Sequence, residues 1–181
     1  MERIFIARGV LALVFAVLVF IAVALAPGDG VRVFAGFAIL DGVLAIAAGY
    51  RAHPDWRSPR KAALYAEGII ECAAGFVIAF LDQNAPVIAF AIGANAIIGG
   101  ALASVYSMGE KSEQRATWWA VYAILGVILG FAVGPLMAAG TSAMLLAVGA
   151  VVAVQGIARI FLRGGSGRKN GQVSASLGDA S

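Results

Sequence analysis

The chain has 181 residues, of which 61% are hydrophobic and only 13% are charged, and its mean hydropathy is +0.92. A soluble domain of this size has too little interior for so much apolar surface, so the composition excludes a soluble protein and predicts one embedded in the lipid bilayer. The net charge of +3 does not indicate nucleic-acid binding, because the basic residues lie at the ends of apolar runs, where membrane topology accounts for them. The single cysteine, Cys72, excludes an internal disulfide and any multi-cysteine metal site.

A membrane-spanning helix needs about 20 mostly apolar residues, and six such runs follow one another along the chain. They are predicted at 8–26, 31–50, 62–81, 86–107, 117–137 and 142–162. The sequence therefore predicts an all-α transmembrane domain over residues 1–163. The Gly/Ser-rich tail, residues 164–181, is expected to be disordered and cytoplasmic.

The first run has some features of a cleaved signal peptide. Arg3 and Arg8 precede the apolar stretch, and the small residues Ala24 and Ala26 are typical of a cleavage site. However, Pro27 would directly follow the cut, and the run 9–26 is longer than a usual signal sequence. We therefore expect the first helix to remain attached.

The distribution of basic residues predicts the orientation. Twelve of the 13 Lys and Arg residues lie at the two ends of the chain or in its second and fourth connections, and only Arg32 lies on the other side. Cytoplasmic segments carry such an excess, so both termini are predicted to be cytoplasmic. The aromatic residues at the same boundary are Tyr50, Trp56, Tyr65, Tyr106, Trp118 and Trp119.

The turns on the opposite side are very short, which predicts three antiparallel hairpins at about 8–50, 62–107 and 117–162. Three successive hairpins indicate an internal repeat. Gly42, Gly99 and Gly156 support the repeat, because they recur at intervals of 57 residues in helices 2, 4 and 6.

Each hairpin combines an apolar helix, a turn containing Pro or Gly, and a second helix with a late glycine. The residues in this pattern are Pro27, Gly42 and Gly49, then Pro86 and Gly99, then Pro135 and Gly156, together with the segment Ala66-Glu67-Gly68-Ile69-Ile70-Glu71 and the pair Trp118-Trp119. Over about residues 5–163 this pattern resembles the HdeD family of bacterial inner-membrane proteins, which are built from repeats of a short domain of unknown function. The resemblance implies a role in acid or stress resistance, and it supplies no catalytic residues.

Polar residues inside the apolar runs are the candidate site. Asp41 in helix 2 and Glu71 in helix 3 are each predicted near the middle of the membrane, and Asn95 in helix 4 lies at a similar depth. Glu67 and Glu71 are four residues apart and share one helix face. Because burial of a carboxylate in lipid is costly, such residues suggest a function.

Two interpretations of these residues remain open. In the first, Asp41 and Glu71 approach each other and exchange protons as the pH falls. In the second, the carboxylates only hold helices together through hydrogen bonds and ion pairs. For Glu67 the second is favoured, because Arg8 and Arg159 are predicted at its level and could pair with it.

A row of small residues, Gly126, Gly130 and Gly134, lies on helix 5. It predicts either packing within the chain, which we favour, or contact with a second copy in a homo-oligomer. The sequence shows no nucleophile–base or metal-binding pattern, so neither an enzyme nor a cofactor is predicted. Three functions are therefore considered: an HdeD-like stress protein, a small proton-coupled transporter or channel, and a structural membrane scaffold.

Overall fold

The computed structural model of the chain describes residues 2–25, 27–52, 59–80, 85–107 and 113–161. All of these residues except Gly140 are helical. The helices are α1 (Glu2–Leu25), α2 (Pro27–Ala52), α3 (Pro59–Phe80), α4 (Ala85–Ser107), α5 (Glu113–Ala139) and α6 (Thr141–Phe161). The predicted disordered tail, residues 164–181, and Trp56 in the second connection lie outside the described residues.

Within the described ranges, all six helices are long and apolar enough to cross a membrane. This confirms the predicted all-α class. Each helix begins before its predicted apolar run, because the residues that precede the run continue the same helix. For example, α2 begins at Pro27, where a turn was predicted. Proline is tolerated in the first turn of a helix, and Asp29 in the same turn is favourable at the positive end of the helix dipole.

The helices form a closed ring. Each helix contacts the next along the chain, and α6 returns to contact α1. Neighbouring helices are antiparallel. A single residue separates α5 from α6: Gly140 has a φ of 126°, and its N–H donates to the carbonyl oxygen of Met137 at 3.0 Å. We call the end of the bundle with the α1–α2, α3–α4 and α5–α6 connections the turn side, and the other end the loop side.

Glycine faces glycine at three of the six interfaces. Among the described residues, these pairs are Gly9 with Gly156, Gly42 with Gly68, Gly93 with Gly130, and Gly100 with Gly126. A Cβ atom built on Gly42 would lie 2.6 Å from the carbonyl oxygen of Gly68, which leaves no room for any side chain. The pairs lie at the α1–α6, α2–α3 and α4–α5 interfaces, so these close backbone contacts join helices from different predicted hairpins. The repeat of hairpins itself remains a prediction.

The recurrence at intervals of 57 residues selected Gly99, but the close contact is made by Gly100. A Cβ atom on Gly99 would meet nothing within 4 Å, whereas one on Gly100 would lie 2.7 Å from the carbonyl oxygen of Ala123. One residue turns the helix by about 100 degrees, so adjacent glycines face different surroundings. Gly99 instead lines a central cavity.

Two buried apolar clusters fill the bundle. The larger lies toward the turn side and includes Phe15, Phe34, Ile92, Met144 and Leu145. The smaller lies toward the loop side and includes Ala48, Leu64, Ala103, Tyr122 and Ala123. On α1, α2 and α3 the charged residues Arg8, Asp41, Glu67 and Glu71 lie between the two clusters. The polar site is therefore enclosed by apolar packing at both ends.

A candidate polar site inside the bundle

Five ionisable side chains meet at the centre of the bundle. All five were predicted from the sequence to lie within the membrane or at its edge, and they are Arg8, Asp41, Glu67, Glu71 and Arg159. The most exposed of them is Glu71, whose side chain is 12% exposed. The structure therefore brings together carboxylates from α2 and α3 with arginines from α1 and α6. We call these five residues the charge cluster.

Asp41 is the acceptor shared by both arginines. Arg8 binds it in a bidentate manner, with Nε at 2.7 Å from Oδ1 and Nη2 at 2.9 Å from Oδ2. Arg159 Nη1 donates to the same Oδ2 at 2.9 Å. The sequence predicted pairing of these arginines with Glu67. That contact exists, but Asp41 receives more of the short bonds, because it lies between the two guanidinium groups.

Arg8 Nη2 has three carboxylates within reach. Besides Asp41, it lies 2.8 Å from Glu67 Oε1 and 3.3 and 3.4 Å from the two oxygens of Glu71. Glu67 also accepts from Arg159 Nη2 at 3.4 Å. Asp41 and Glu67 are therefore bound by both arginines. Within the described residues, Glu71 accepts only long hydrogen bonds, and these come from Arg8.

Tyr122 on α5 extends the cluster. Its hydroxyl oxygen accepts a hydrogen bond from Arg159 Nη2 at 2.6 Å, and its ring centroid lies 5.2 Å from Arg159 Cζ. The sequence analysis missed this residue. A signal was present, because Tyr122 lies one helical turn beyond Trp118 and Trp119, deeper in the apolar run than the boundary aromatics. A buried tyrosine hydroxyl usually has a polar partner.

The formal charges of the cluster do not balance. Three carboxylates face two guanidinium groups, so full ionisation leaves one negative charge in excess. Each buried side-chain nitrogen and oxygen in the described ranges nevertheless has at least one partner. The excess negative charge therefore does not result from missing hydrogen bonds.

A cavity of about 50 Å³ lies beside the cluster at the centre of the ring, with lining residues from all six helices. Its polar lining consists of Asp41, Glu71, Asn95, Tyr122, Gln155 and Arg159. Asn95 was predicted at this depth, and it faces the same space as Asp41 and Glu71. A cavity of this volume with polar walls can hold a few water molecules.

The three glycine-joined helix pairs contribute different chemistry to this centre. The α1–α6 pair supplies both arginines, and the α2–α3 pair supplies all three carboxylates. The α4–α5 pair supplies only neutral polar groups, namely Tyr122 and Asn95. The charge cluster therefore joins a basic pair to an acidic pair, and the third pair completes the cavity wall.

The glycine row on α5 is divided between two environments. Gly126 and Gly130 pack against α4, since their Cβ atoms would lie 2.8 Å from the carbonyl oxygens of Ala96 and Gly93. Gly134 is exposed, and a Cβ atom there would meet nothing within 4 Å. Two of the three glycines are therefore occupied within the chain, and Gly134 alone remains open to a second copy.

Lys61 also differs from its expected place. The predicted helix 3 begins at residue 62 and so leaves Lys61 in the preceding connection, but Lys61 lies in the first turn of α3 and is only 4% exposed. Among the described residues, no group of three or more His, Cys, Asp or Glu side chains is arranged to hold a metal ion.

The six helices and the charged centre define a multi-pass membrane protein. Residues 5–80 match a family described as "Short repeat of unknown function (DUF308)". The match covers less than half of the chain, from α1 to the end of α3. It includes Arg8 and all three carboxylates of the charge cluster, whereas Tyr122 and Arg159 lie beyond it. No curated protein and no solved structure matches the chain.

Proposed function

We propose that the chain is an HdeD-like protein of the bacterial inner membrane that acts in acid or envelope stress without being an enzyme. The match of residues 5–80 to a short repeat supports the HdeD assignment, and the distribution of basic residues supports cytoplasmic termini. The charge cluster is the part of the molecule that responds to acid.

The observation that carries this proposal is the burial of three carboxylates with two arginines in the middle of the bundle. A carboxylate that gains a proton loses its charge, so each protonation changes which ion pairs the cluster can make. Because the cluster joins α1 and α6 to α2 and α3, such a change alters the contact between two helix pairs. Acidification therefore acts directly on the centre of the bundle.

The volume of the central cavity argues against catalysis at the charge cluster. Ligand and substrate pockets usually have volumes of about 300–1,000 Å³. The central cavity, at about 50 Å³, has room for water and not for an organic substrate. Asp41, Glu71 and Tyr122, which line this cavity, are bound to the arginines.

Deletion of the gene in its source organism tests the proposal. We expect reduced survival after exposure to low pH, restored by the wild-type gene and by Asp29→Asn, which alters only an exposed ion pair on α2. Asp41→Asn should not restore survival, provided that immunoblots show it in the membrane. A deletion strain that survives acid as well as its parent contradicts a role in acid resistance, and equal survival under envelope-damaging agents contradicts the remainder of the proposal.

The second candidate is proton-coupled transport. It is favoured by the cavity, which contacts both Asp41 and Glu71 and lies where all six helices meet. Purified protein in liposomes that contain a pH-sensitive dye should then collapse a pH gradient faster than empty liposomes. Asp41→Asn and Glu71→Gln should each slow the collapse. Wild-type vesicles that are no leakier than empty ones contradict transport and leave the stress role unaffected.

A further inference from the structure

We propose that Glu71 is a proton-binding site, which holds the proton that neutralises the excess charge of the cluster and exchanges it with water in the central cavity. The inference describes the state of the charge cluster before acidification, and it rests on the proposed function for its biological role.

Arg8 Nη2 has too few hydrogens to donate one to each of the three carboxylates. Arg8 Nη2 carries two hydrogens, and its two shortest contacts are Asp41 Oδ2 at 2.9 Å and Glu67 Oε1 at 2.8 Å. The oxygens of Glu71, at 3.3 and 3.4 Å from the same nitrogen, receive no hydrogen of their own. A proton on Glu71 therefore neutralises the carboxylate that Arg8 binds least closely.

The charge of the cluster also favours a proton on Glu71. Full ionisation leaves the five residues of the cluster with one negative charge that their two arginines do not balance, in a space from which most water is excluded, and a buried carboxylate without a paired cation is unfavourable. Protonation of Asp41 would weaken three short bonds to the two arginines. Protonation of Glu67 would weaken its short bond to Arg8. Protonation of Glu71 weakens only long contacts, so the proton is placed there at least cost.

Access to water distinguishes Glu71 as well. Its side chain is 12% exposed, compared with 2% for Asp41 and 4% for Glu67. Glu71 lines the cavity together with the amide groups of Asn95 and Gln155. A buried water needs two to four polar partners, and these amides with Tyr122 provide them, so water in the cavity can accept the proton.

Every helix contributes to the surroundings of this proton. The groups facing the site are Arg8 from α1, Asp41 from α2, Glu67 from α3 itself, Asn95 from α4, Tyr122 from α5 and Arg159 and Gln155 from α6. The helix α4 carries no acidic or basic residue. The two neighbouring carboxylates favour the proton on Glu71, whereas the arginines oppose it. The exchange therefore depends on how firmly the arginines remain bound to Asp41 and Glu67.

Infrared spectroscopy of the full-length protein in liposomes at neutral pH tests the inference. A protonated carboxylic acid has a C=O stretching band that ionised carboxylates lack. We expect this band in the wild type, a shift of the band in D2O because the proton exchanges with water, and loss of the band in Glu71→Gln. Asp29→Asn, which alters an exposed carboxylate, should retain it.

Stability provides a second measurement. Glutamine has the shape of a protonated glutamic acid, so Glu71→Gln should unfold at the same temperature as the wild type. Glu67→Gln removes a paired charge, so it should unfold at a lower temperature. Absence of the band in the wild type, its persistence in Glu71→Gln, or failure of Glu71→Gln to fold would each overturn the inference. Both measurements use purified protein, so a deletion strain with normal acid survival contradicts the proposed function and does not alter this result.

Discussion

Arg159 donates a 2.9 Å hydrogen bond to Asp41, although the two residues are 118 positions apart in the chain. Arg8 binds the same carboxylate from the opposite end of the sequence, at 2.7 and 2.9 Å. Asp41 therefore connects α1, α2 and α6 through a single side chain. Replacement of a buried carboxylate that has two guanidinium partners is especially costly, because both positive charges then lack their principal acceptor.

The first prediction concerns Asp41→Asn. The substitution retains the shape of the side chain but removes its charge, and it leaves two nearly inaccessible arginines with weaker acceptors. We expect the free energy of unfolding to fall by about 3–5 kcal/mol, the usual effect of breaking a buried ion pair from one side. Equilibrium unfolding in detergent micelles, followed by circular dichroism, measures the change.

The matched control is Asp29→Asn on the same helix. Asp29 pairs with Arg32 at 3.5 Å, but the two side chains are 61% and 73% exposed. An exposed ion pair contributes at most about 1 kcal/mol, so this variant should be close to the wild type. Equal effects of the two substitutions would show that Asp41 has no special importance for stability.

The second prediction concerns the α2–α3 interface. A Cβ atom on Gly68 would lie 2.5 Å from the carbonyl oxygen of Gly42, so Gly68→Ala forces the two helices apart. We expect a loss of about 1–3 kcal/mol in the free energy of unfolding, as is typical of overpacking. The same displacement moves Glu67 and Glu71, and the infrared band assigned to Glu71 should shift with it.

Gly36→Ala serves as the comparison, because a Cβ atom there would meet nothing within 4 Å. Alanine is the better helix former, so this variant should be as stable as the wild type or more stable by up to about 1 kcal/mol. Destabilisation by Gly36→Ala equal to that by Gly68→Ala would contradict the role of close backbone contact.

The sequence was sufficient to predict the six helices and most of the polar site. Long apolar runs predict spanning helices because lipid leaves few alternatives, and a carboxylate such as Asp41 is conspicuous within such a run. The pairing of Asp41 with Arg8 was not predictable in the same way. It depends on how α1 is rotated about its axis, and this rotation is set by the contact between Gly9 and Gly156 at the other end of the chain.

Tyr122 and Gly100 show the limit of patterns within one helix. The pattern assigned aromatic residues to the membrane boundary and selected Gly99 for packing. The actual roles are decided by the facing helix, because Tyr122 meets Arg159 and Gly100 meets Ala123. Repeats in a sequence predict that helices resemble one another, but they do not determine which face each helix presents to its neighbour.

The third prediction concerns Tyr122→Phe. The substitution removes the hydroxyl that accepts from Arg159 at 2.6 Å but retains the ring beside the guanidinium group. A hydrogen bond to a charged group contributes about 1.5–3 kcal/mol, and we expect a loss in that range. Tyr50→Phe is the control, because Tyr50 is 75% exposed. No difference between these two variants would mean that the hydroxyl contributes nothing to the cluster.

The fourth prediction concerns orientation in the membrane. Single cysteines are introduced at Asp29, near the turn side, and at Arg51, near the loop side, after Cys72 has been replaced by alanine. Both positions are exposed in the structure. Because 12 of the 13 basic residues are predicted on the loop side, that side should face the cytoplasm. A membrane-impermeant maleimide applied to intact spheroplasts should then label Asp29→Cys and leave Arg51→Cys unlabelled.

Lysis of the spheroplasts supplies the control, because Arg51→Cys should become labelled once the reagent reaches both faces of the membrane. The parent protein with Cys72→Ala should remain unlabelled throughout. The reverse pattern, with Arg51→Cys labelled before lysis and Asp29→Cys only afterwards, would place the turn side in the cytoplasm. Acid outside the cell would then reach the charge cluster from the loop side, past Leu64 and Ala103, and the basic residues would no longer explain the topology.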